Sequence, residues 1–391
     1  MKIGIAGPVS LSLLPFDGGP PEGLPICFGA PIISSIVTAL LTRGHEVVIY
    51  TSVTGLAEPC VFVTPRLVVC VGRLRSRHHA RDLYRVERKD LLELMRAHPV
   101  DVMHAQWSYH FAWSALDADP ATLVTAHDHA RTIFAHSPSA YRLMRLLMND
   151  LVLSKARYLS APSEHLYRLL SPAQQRRTRI VPNFYSAAIE DIASETLLHP
   201  PSLDRPLVTT VANGFSPWKN VARAIRAFGR VRRSMPNAEF RLVGEGMGQT
   251  GPAHAYALST GLMRGVSFVG RLPYAETLRE IAAATVLLHP ALEESFGMTA
   301  LEAMALGTPV VGGRDCGNVP HLLENGRAGA LCDMRSPESI ADTLLSLLHD
   351  PGAATALSER ATQRARERFS ERTAIEAYLQ YYLDILDGQP R

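Results

Sequence analysis

Residues 289–311 read HPALEESFGMTALEAMALGTPVV, and this stretch constrains the chain more than any other. An apolar run leads in, a glycine loop interrupts it, and an Ala/Leu/Met-rich segment leads out. The pattern predicts a strand ending near Pro290 and a helix beginning near Met298. A helix start offers unpaired backbone N–H groups and the positive end of a dipole, which together bind anions. Glu294 stands before that start, and Glu302 is expected about two turns inside the helix. Carboxylates beside an anion site have a use when they reach sugar hydroxyls on the same ligand. A phosphate held by amides, with hydroxyls held by Glu294 and Glu302, describes a nucleotide sugar. The plain alternative is a strand–loop–helix unit with surface glutamates.

Short β-branched strands alternate with helical segments throughout, the signature of parallel sheets built from βαβ units. In the first half, strands are expected at 2–6, 45–51, 100–105, 122–126 and 157–161, with helices at 31–43 and 141–154. Residues 186–205 carry Pro200 and Pro201 and no clear periodicity, and read as a linker. A second alternation starts at Pro206 and runs through AEFRLVG, GVSFVG, TVLLHP, TPVVGG and AGALC. Amphipathic helices at 353–366 and 371–386 close the chain. The expected layout is a first Rossmann-like domain at 1–185 and a linker at 186–205. A second Rossmann-like domain follows at 206–368, and a helix at 369–391 returns to the first. Ligands in such doubly wound sheets bind at the carboxyl ends of strands.

Composition limits the classes of function. With 391 residues the chain can bury two cores. A net charge of +3 is too small to call for nucleic acid. Cys27, Cys60, Cys70, Cys316 and Cys332 are odd in number and scattered, which reads as reduced, mostly buried thiols of a cytoplasmic protein. The first fifteen residues read as a strand and not a signal peptide, and no run of about eighteen apolar residues suggests a membrane span.

The region around Glu294 resembles the retaining glycosyltransferases of family four, which share the two-domain GT-B architecture. Pro290, Glu294, Phe296, Gly297, Glu302, Ala303, Met304, Ala305, Gly307, Thr308, Pro309 and Val310 all fall in register with that family's pattern. The resemblance implies two Rossmann-like domains facing across a cleft and transfer of a sugar from a UDP-, GDP- or other nucleotide-diphosphate donor. It gives Asn213, Gly214, Arg271, Leu272, Phe296, Gly297, Met298, Thr299 and Glu302 to donor binding, with Arg271 and Leu272 against the base. Lys219, at a helix start after NGFSPWKN, would neutralise the diphosphate; a solvated lysine in a helix's first turn is the alternative. The family's Gly-Arg-Leu-x-x-x-Lys loop keeps only its lysine here, with Phe215 in third place and no arginine. Amides near Gly214 and Gly297, or Arg314, could stand in. Asn318 and His321 depart from the family's Gly-Gly-x-Pro-Glu segment.

The first half resembles the family more loosely and is expected to bind the acceptor, a saccharide, a lipid-linked glycan or a small molecule. Gly29 occupies the family's first glycine loop, where bare backbone can approach the donor. His127, in VTAHDHA, matches a histidine beside the reacting sugar, against the alternative of a histidine that merely caps a strand end. The resemblance implies retention of configuration, with Glu294, Lys219 and His127 as the catalytic set, no protein nucleophile, no cofactor and no metal. The basic run 73–89 is read as the solvated face of a helix or as a peripheral contact with anionic lipid at the inner membrane face. Two other classes are weighed. One is a non-catalytic nucleotide-sugar-binding subunit. The other is a metal-dependent hydrolase with His127, Asp128 and His129 as ligands.

Overall fold

The structure is a computed structural model and describes residues 1–16, 18–25, 29–198 and 204–388. The chain divides into two compact units, Met1–Asn183 with Glu371–Arg391, and Phe184–Ser370.

The first unit holds strands β1 (Lys2–Ala6), β2 (Glu46–Thr54), β3 (Cys60–Val63), β4 (Leu67–Leu74), β5 (Val102–Gln106), β6 (Leu123–Thr125), β7 (Tyr158–Ala161) and β8 (Thr178–Ile180). They form one sheet in the order β3-β4-β2-β1-β5-β6-β7-β8. All neighbours are parallel except β3 against β4. β2 is buried over Val47–Val53 and apolar over most of that run, as a strand covered on both faces requires, while β5 is equally buried but carries His104 and Gln106. The sequence reading did not anticipate β3, β4 or β8. The basic run is not one helix either: Arg73 and Leu74 finish β4, a 3-10 turn spans His79–Asp82, and the helix starts only at Arg85.

The helix Glu371–Leu386 belongs to this unit and packs on the helix Pro31–Thr42 and on β5. It buries Ala374, Ile375, Tyr378, Tyr381, Tyr382 and Ile385, a stripe at the 3.6-residue period. Tyr381 Oη donates to the Leu159 carbonyl at 3.0 Å, which satisfies its polar end inside the core.

The second unit holds β9 (Leu207–Val211), β10 (Glu239–Val243), β11 (Val266–Gly270), β12 (Val286–Leu288), β13 (Val310–Gly313) and β14 (Ala330–Cys332). Their order is β11-β10-β9-β12-β13-β14, all parallel. The chain winds outward from β9 to one edge, then restarts beside β9 at β12. The crevice outside the carboxyl ends of β9 and β12 is therefore the topological switch point, where doubly wound sheets take their ligands.

The expected linker is a correction. Its first part is a helix, Ala188–Leu198, packed on the helices Tyr274–Ala282 and Met298–Leu306. Among its described side chains, Ile189 and Ile192 are buried in the core and Ala193 packs against it, too few apolar positions to register as a period. Residues 199–203, with both prolines, lie outside the described residues. So does Cys27; Cys70, Cys316 and Cys332 are buried free thiols, and Cys60 is half-buried. Burial pushes the Cys70 thiol up to about 12 and that of Cys332 to about 11, so neither is a nucleophile at neutral pH.

Candidate active site

Two loops meet at the switch point of the second unit. One follows β9 and runs to the helix Val221–Ser234; the other follows β12 and runs to the helix Met298–Leu306. Backbone ties them, since Leu292 N–H donates to the Trp218 carbonyl at 2.8 Å. Asn220 is a second tie. It sits in the left-handed region at φ 62°, fully buried, and its amide donates to the carbonyls of Pro290 (2.9 Å) and Met334 (2.7 Å). Asparagine tolerates that backbone conformation better than most residues, and its side chain here holds both loops.

This scaffold brings Lys219 to Glu294. The ammonium lies 2.6 Å from Glu294 Oε1, and both side chains are about one-fifth exposed (19% each). Burial alone would raise the Glu294 carboxyl, but Lys219 and, more weakly, His289 hold it below the usual carboxylate range. His289 Nε2 lies 3.7 Å from the same oxygen, too far for a hydrogen bond, and burial lowers its own pKa. Asn318, which departs from the family pattern, shapes this loop. Its N–H donates to the Glu294 carbonyl at 2.9 Å and its side-chain amide to the Phe296 carbonyl at 3.1 Å.

Gly297 caps the next helix at φ 98°, a conformation that glycine adopts without strain. No side chain caps that helix and no acid stands in its first turn, so the amides of Met298 and Thr299 face no protein carboxylate in that turn. Glu302 lies one turn into the helix, not two, and is buried at 7% exposure. Tyr274 Oη donates to it at 2.8 Å. Burial pushes the Glu302 carboxyl up to about 7, with Tyr274 opposing. A carboxylate in that state gains from any ligand hydroxyl that donates to its charged form.

The other expected donor contacts lie on the loops that follow β9, β11 and β12 of the same sheet. Asn213 is exposed, and Gly214 N–H donates to the Glu245 carbonyl at 3.0 Å. Phe215, at the arginine's neighbouring place, packs against Tyr256 with ring centroids 5.6 Å apart and contributes to the core. Arg314 is exposed on the loop after β13, at the carboxyl end of the same sheet. Arg271 and Leu272 follow the end of β11, and the Arg271 guanidinium lies 3.2 Å from Glu245. Phe296 is buried edge-on against Phe369.

In the first unit, His127 ends up beside Trp107, ring centroids 4.8 Å apart. His127 Nε2 donates to the side-chain amide oxygen of Gln106, Oε1, at 2.5 Å, and burial pushes the imidazole down to about 4. Behind it, Gln106 Nε2 lies 3.0 Å from His104 Nε2, and His104 Nδ1 lies 2.7 Å from Tyr382 Oη. A fully buried polar chain thus joins the C-terminal helix to His127 and fixes the proton on Nε2. Asp128 and His129 turn to other partners, Tyr109 Oη at 2.7 Å and Thr132 Oγ1 at 2.7 Å. Among the described residues, no group of three or more His, Cys, Asp or Glu could hold a metal ion. Gly29 has a structural demand of its own. A Cβ there would stand 2.2 Å from the Pro8 carbonyl oxygen, so the chain's own backbone already requires glycine at this position.

A cavity of about 650 Å³ opens at the carboxyl end of this sheet, lined by Ser52, Tyr84, Trp107, Tyr109, Asp128 and Arg145 among others. Leu83, Tyr84 and Trp107 around it hold φ of 54°, 57° and 70°. Such bulky residues pay about 1–3 kcal/mol each for the left-handed region, strain that collects at functional sites. Ser52 Oγ and His110 Nε2 are buried in its wall without a hydrogen-bond partner among the described residues. Sequence reasoning missed this cavity because its aromatic residues come from three separate segments, 79–84, 107–111 and 141. It also missed Tyr274, His289 and Asn220, none of which has a local spacing signal.

Comparison with known proteins bears on the family and the fold. The family model described as "Glycosyl transferases group 1" matches residues 199–368, and that of "Glycosyltransferase Family 4" matches residues 32–188. The chain belongs to the family-four glycosyltransferases. As a member, it is 34% identical over 171 residues to a glycogen synthase of Mycobacterium tuberculosis, covering 44% of this chain and 41% of that protein. The chain thus matches under half the length of that relative. It is 25% identical over 366 residues to N-acetyl-alpha-D-glucosaminyl L-malate synthase of Bacillus anthracis, covering 89% and 91%. Among solved structures, sucrose-phosphate synthase from Thermosynechococcus elongatus superposes with TM-score 0.78 at 20% identity, covering 99% and 100%. Anabaena HepE in complex with UDP gives 0.64 at 17%, covering 97% and 99%. These structures share the GT-B fold of two α/β domains with mostly parallel sheets.

Proposed function

We propose that this glycosyltransferase moves a sugar from a nucleotide-diphosphate donor to an acceptor hydroxyl with retention of configuration. One observation carries the reading: at the switch point of the second sheet, the Lys219–Glu294 pair stands beside the uncapped helix start at Gly297. The amides and Lys219 receive the diphosphate and stabilise it as it leaves, which is the largest electrostatic demand of the reaction. Glu294 takes hydroxyls of the transferred sugar, and Glu302 takes the ribose. His127, neutral and fixed by Gln106, orients the sugar or the acceptor. The leaving phosphate accepts the acceptor proton, so no protein nucleophile is needed. Lys219 and the amides supply the charge stabilisation that a divalent cation gives elsewhere, so the proposal includes no metal and no cofactor. The UDP complex of HepE supports a nucleoside-diphosphate donor.

The test is a panel of UDP- and GDP-sugars screened by thermal shift, then by release of the nucleoside diphosphate with acceptors present. A donor at one hundred times its Kd raises stability by about 2.7 kcal/mol. A donor that stabilises but is never turned over would favour the binding-subunit reading.

Peripheral contact with anionic lipid is a further part of the proposal, and its basis is narrower than the sequence implies. Arg73 pairs with Asp90 and Arg75 with Asp82 and Glu87, each at 2.7 Å. The contact therefore falls to Arg77, Arg81 and Arg85. Sedimentation with phosphatidylserine vesicles, with and without those three side chains, tests it. Among the described residues, no helix is long and apolar enough to cross a membrane.

A further inference from the structure

We infer that the cavity in the first unit is the acceptor site and that it takes an uncharged, hydroxylated saturated ring, a sugar or a cyclitol. The inference rests on the glycosyltransferase reading and adds the acceptor's chemistry to it.

The walls are aromatic. Tyr84 stacks face to face on His110, with ring centroids 4.5 Å apart and planes 2° from parallel. Tyr109 carries the Arg145 guanidinium over its ring at 3.7 Å, and Trp107 reaches from the cavity to His127. Tyr141, 41% exposed, stands at the rim with its hydroxyl 3.2 Å from that of Tyr84. Aromatic faces cover the C–H faces of a saturated ring and leave its hydroxyls at the edge.

Polar partners wait at that edge. Asp128 holds one oxygen against the Tyr109 hydroxyl and the other 3.5 Å from Arg145. A carboxylate and a guanidinium side by side can accept from and donate to neighbouring hydroxyls on one ring. The same pairing disfavours an anion. Of the described lining residues, Arg145 is the one arginine or lysine, and Asp128 already opposes it. Burial pushes His110 down to about 3, so it adds no charge at neutral pH. A phosphate or carboxylate would have to leave water for an aromatic-walled site beside a like charge.

The cavity is also placed for the reaction. Its lining comes from the carboxyl ends of β1, β2, β4, β5 and β6, and Asp128 follows His127 directly. A ring seated here lies next to the residue that the glycosyltransferase reading puts at the reacting centre.

Saturation-transfer NMR on the full chain with UDP present tests this, using matched pairs: glucose against glucose 6-phosphate, and myo-inositol against its monophosphate. The expected result is at least tenfold tighter binding of the neutral ring in each pair. Tyr141→Ala should weaken the neutral ring about tenfold, and Asp128→Asn should narrow the preference by releasing Arg145. Tighter binding of the phosphorylated ring, no transfer to any neutral ring, or binding indifferent to Tyr141→Ala would overturn the inference. UDP affinity, read by calorimetry on the same samples, belongs to the donor reading. Its loss sinks the transferase, and its persistence confines the failure to the acceptor.

Discussion

Lys219 Nζ lies 2.6 Å from Glu294 Oε1, so the cation assigned to the diphosphate and the carboxylate assigned to the sugar form one ion pair before any ligand arrives. Ligand binding has to share or exchange that pair, which couples the two halves of donor recognition.

The coupling is measurable. Lys219→Ala should cut turnover by about two to three orders of magnitude, the scale of one lost electrostatic stabiliser. It should also cost about 2–3 kcal/mol of stability at pH 7, because it leaves a mostly buried carboxylate unpaired. The folded-state pKa of Glu294 is depressed, so the pair's contribution is present above about pH 4.5 and is lost as pH falls through the folded value. The stability gap between wild type and variant should therefore shrink on acidification. A double-mutant cycle with Glu294→Gln by urea denaturation checks this, and additive effects would mean the pair does not interact.

Glu302 has the opposite sign. Its carboxyl is raised from 4.5 to about 7, so the folded protein gains a proton-bound form that the unfolded chain gives up earlier. Stability from this group is full below about pH 4.5 and declines as pH rises to about 7, by on the order of 3 kcal/mol. Glu302→Gln keeps an acceptor for Tyr274 without the buried charge. It should raise the melting temperature at pH 8 and change little at pH 5, while weakening UDP. Wild-type UDP affinity should rise with pH through about 7 if ribose hydroxyls need the ionised form. Calorimetry in two buffers of different ionisation enthalpy reads the proton released.

Gln106 positions His127 rather than touching substrate. Gln106→Leu should lower turnover about ten- to a hundredfold, within the range of general acid–base and orientation effects, and leave UDP affinity unchanged. Gln106→Glu puts a carboxylate at the imidazole and should lift the His127 pKa from about 4, adding a new limb to the pH–rate profile. An unaltered profile in that variant would remove the tie between the two residues.

Arg75 tests whether the basic run is structural. Glu87 is fully buried and holds the Arg75 guanidinium at 2.7 Å. Arg75→Ala should cost about 3 kcal/mol by leaving that carboxylate unpaired. Thermal denaturation of Arg75→Ala and Arg81→Ala side by side should show a large drop only in the first.

Much of the second unit was legible from sequence because its signals are local. The strand–glycine–helix pattern around Gly297 and the register from Pro290 to Val310 each lie within one continuous stretch. The ion pair was not legible, since Lys219 and Glu294 are 75 residues apart and each looked complete alone. The helix Ala188–Leu198 was lost for a different reason: two buried isoleucines cannot outweigh the nearby prolines. In the first unit, β4 runs into the charge run, and Arg73 and Arg75 turn inward to Asp90 and Glu87, so a pattern of surface charge concealed ion pairs. The aromatic cavity depends on tertiary assembly of residues from Ser52 to Arg145, which no window of sequence can show.

The most direct test of the donor assignment is UDP titration of wild type, Glu302→Gln and Glu294→Gln by calorimetry at pH 8. The account predicts that Glu302→Gln loses about tenfold or more in affinity, the worth of about 1.4 kcal/mol, while Glu294→Gln stays near wild type and loses turnover instead. Loss of UDP affinity in Glu294→Gln with retention in Glu302→Gln would reverse the donor's orientation and contradict the account.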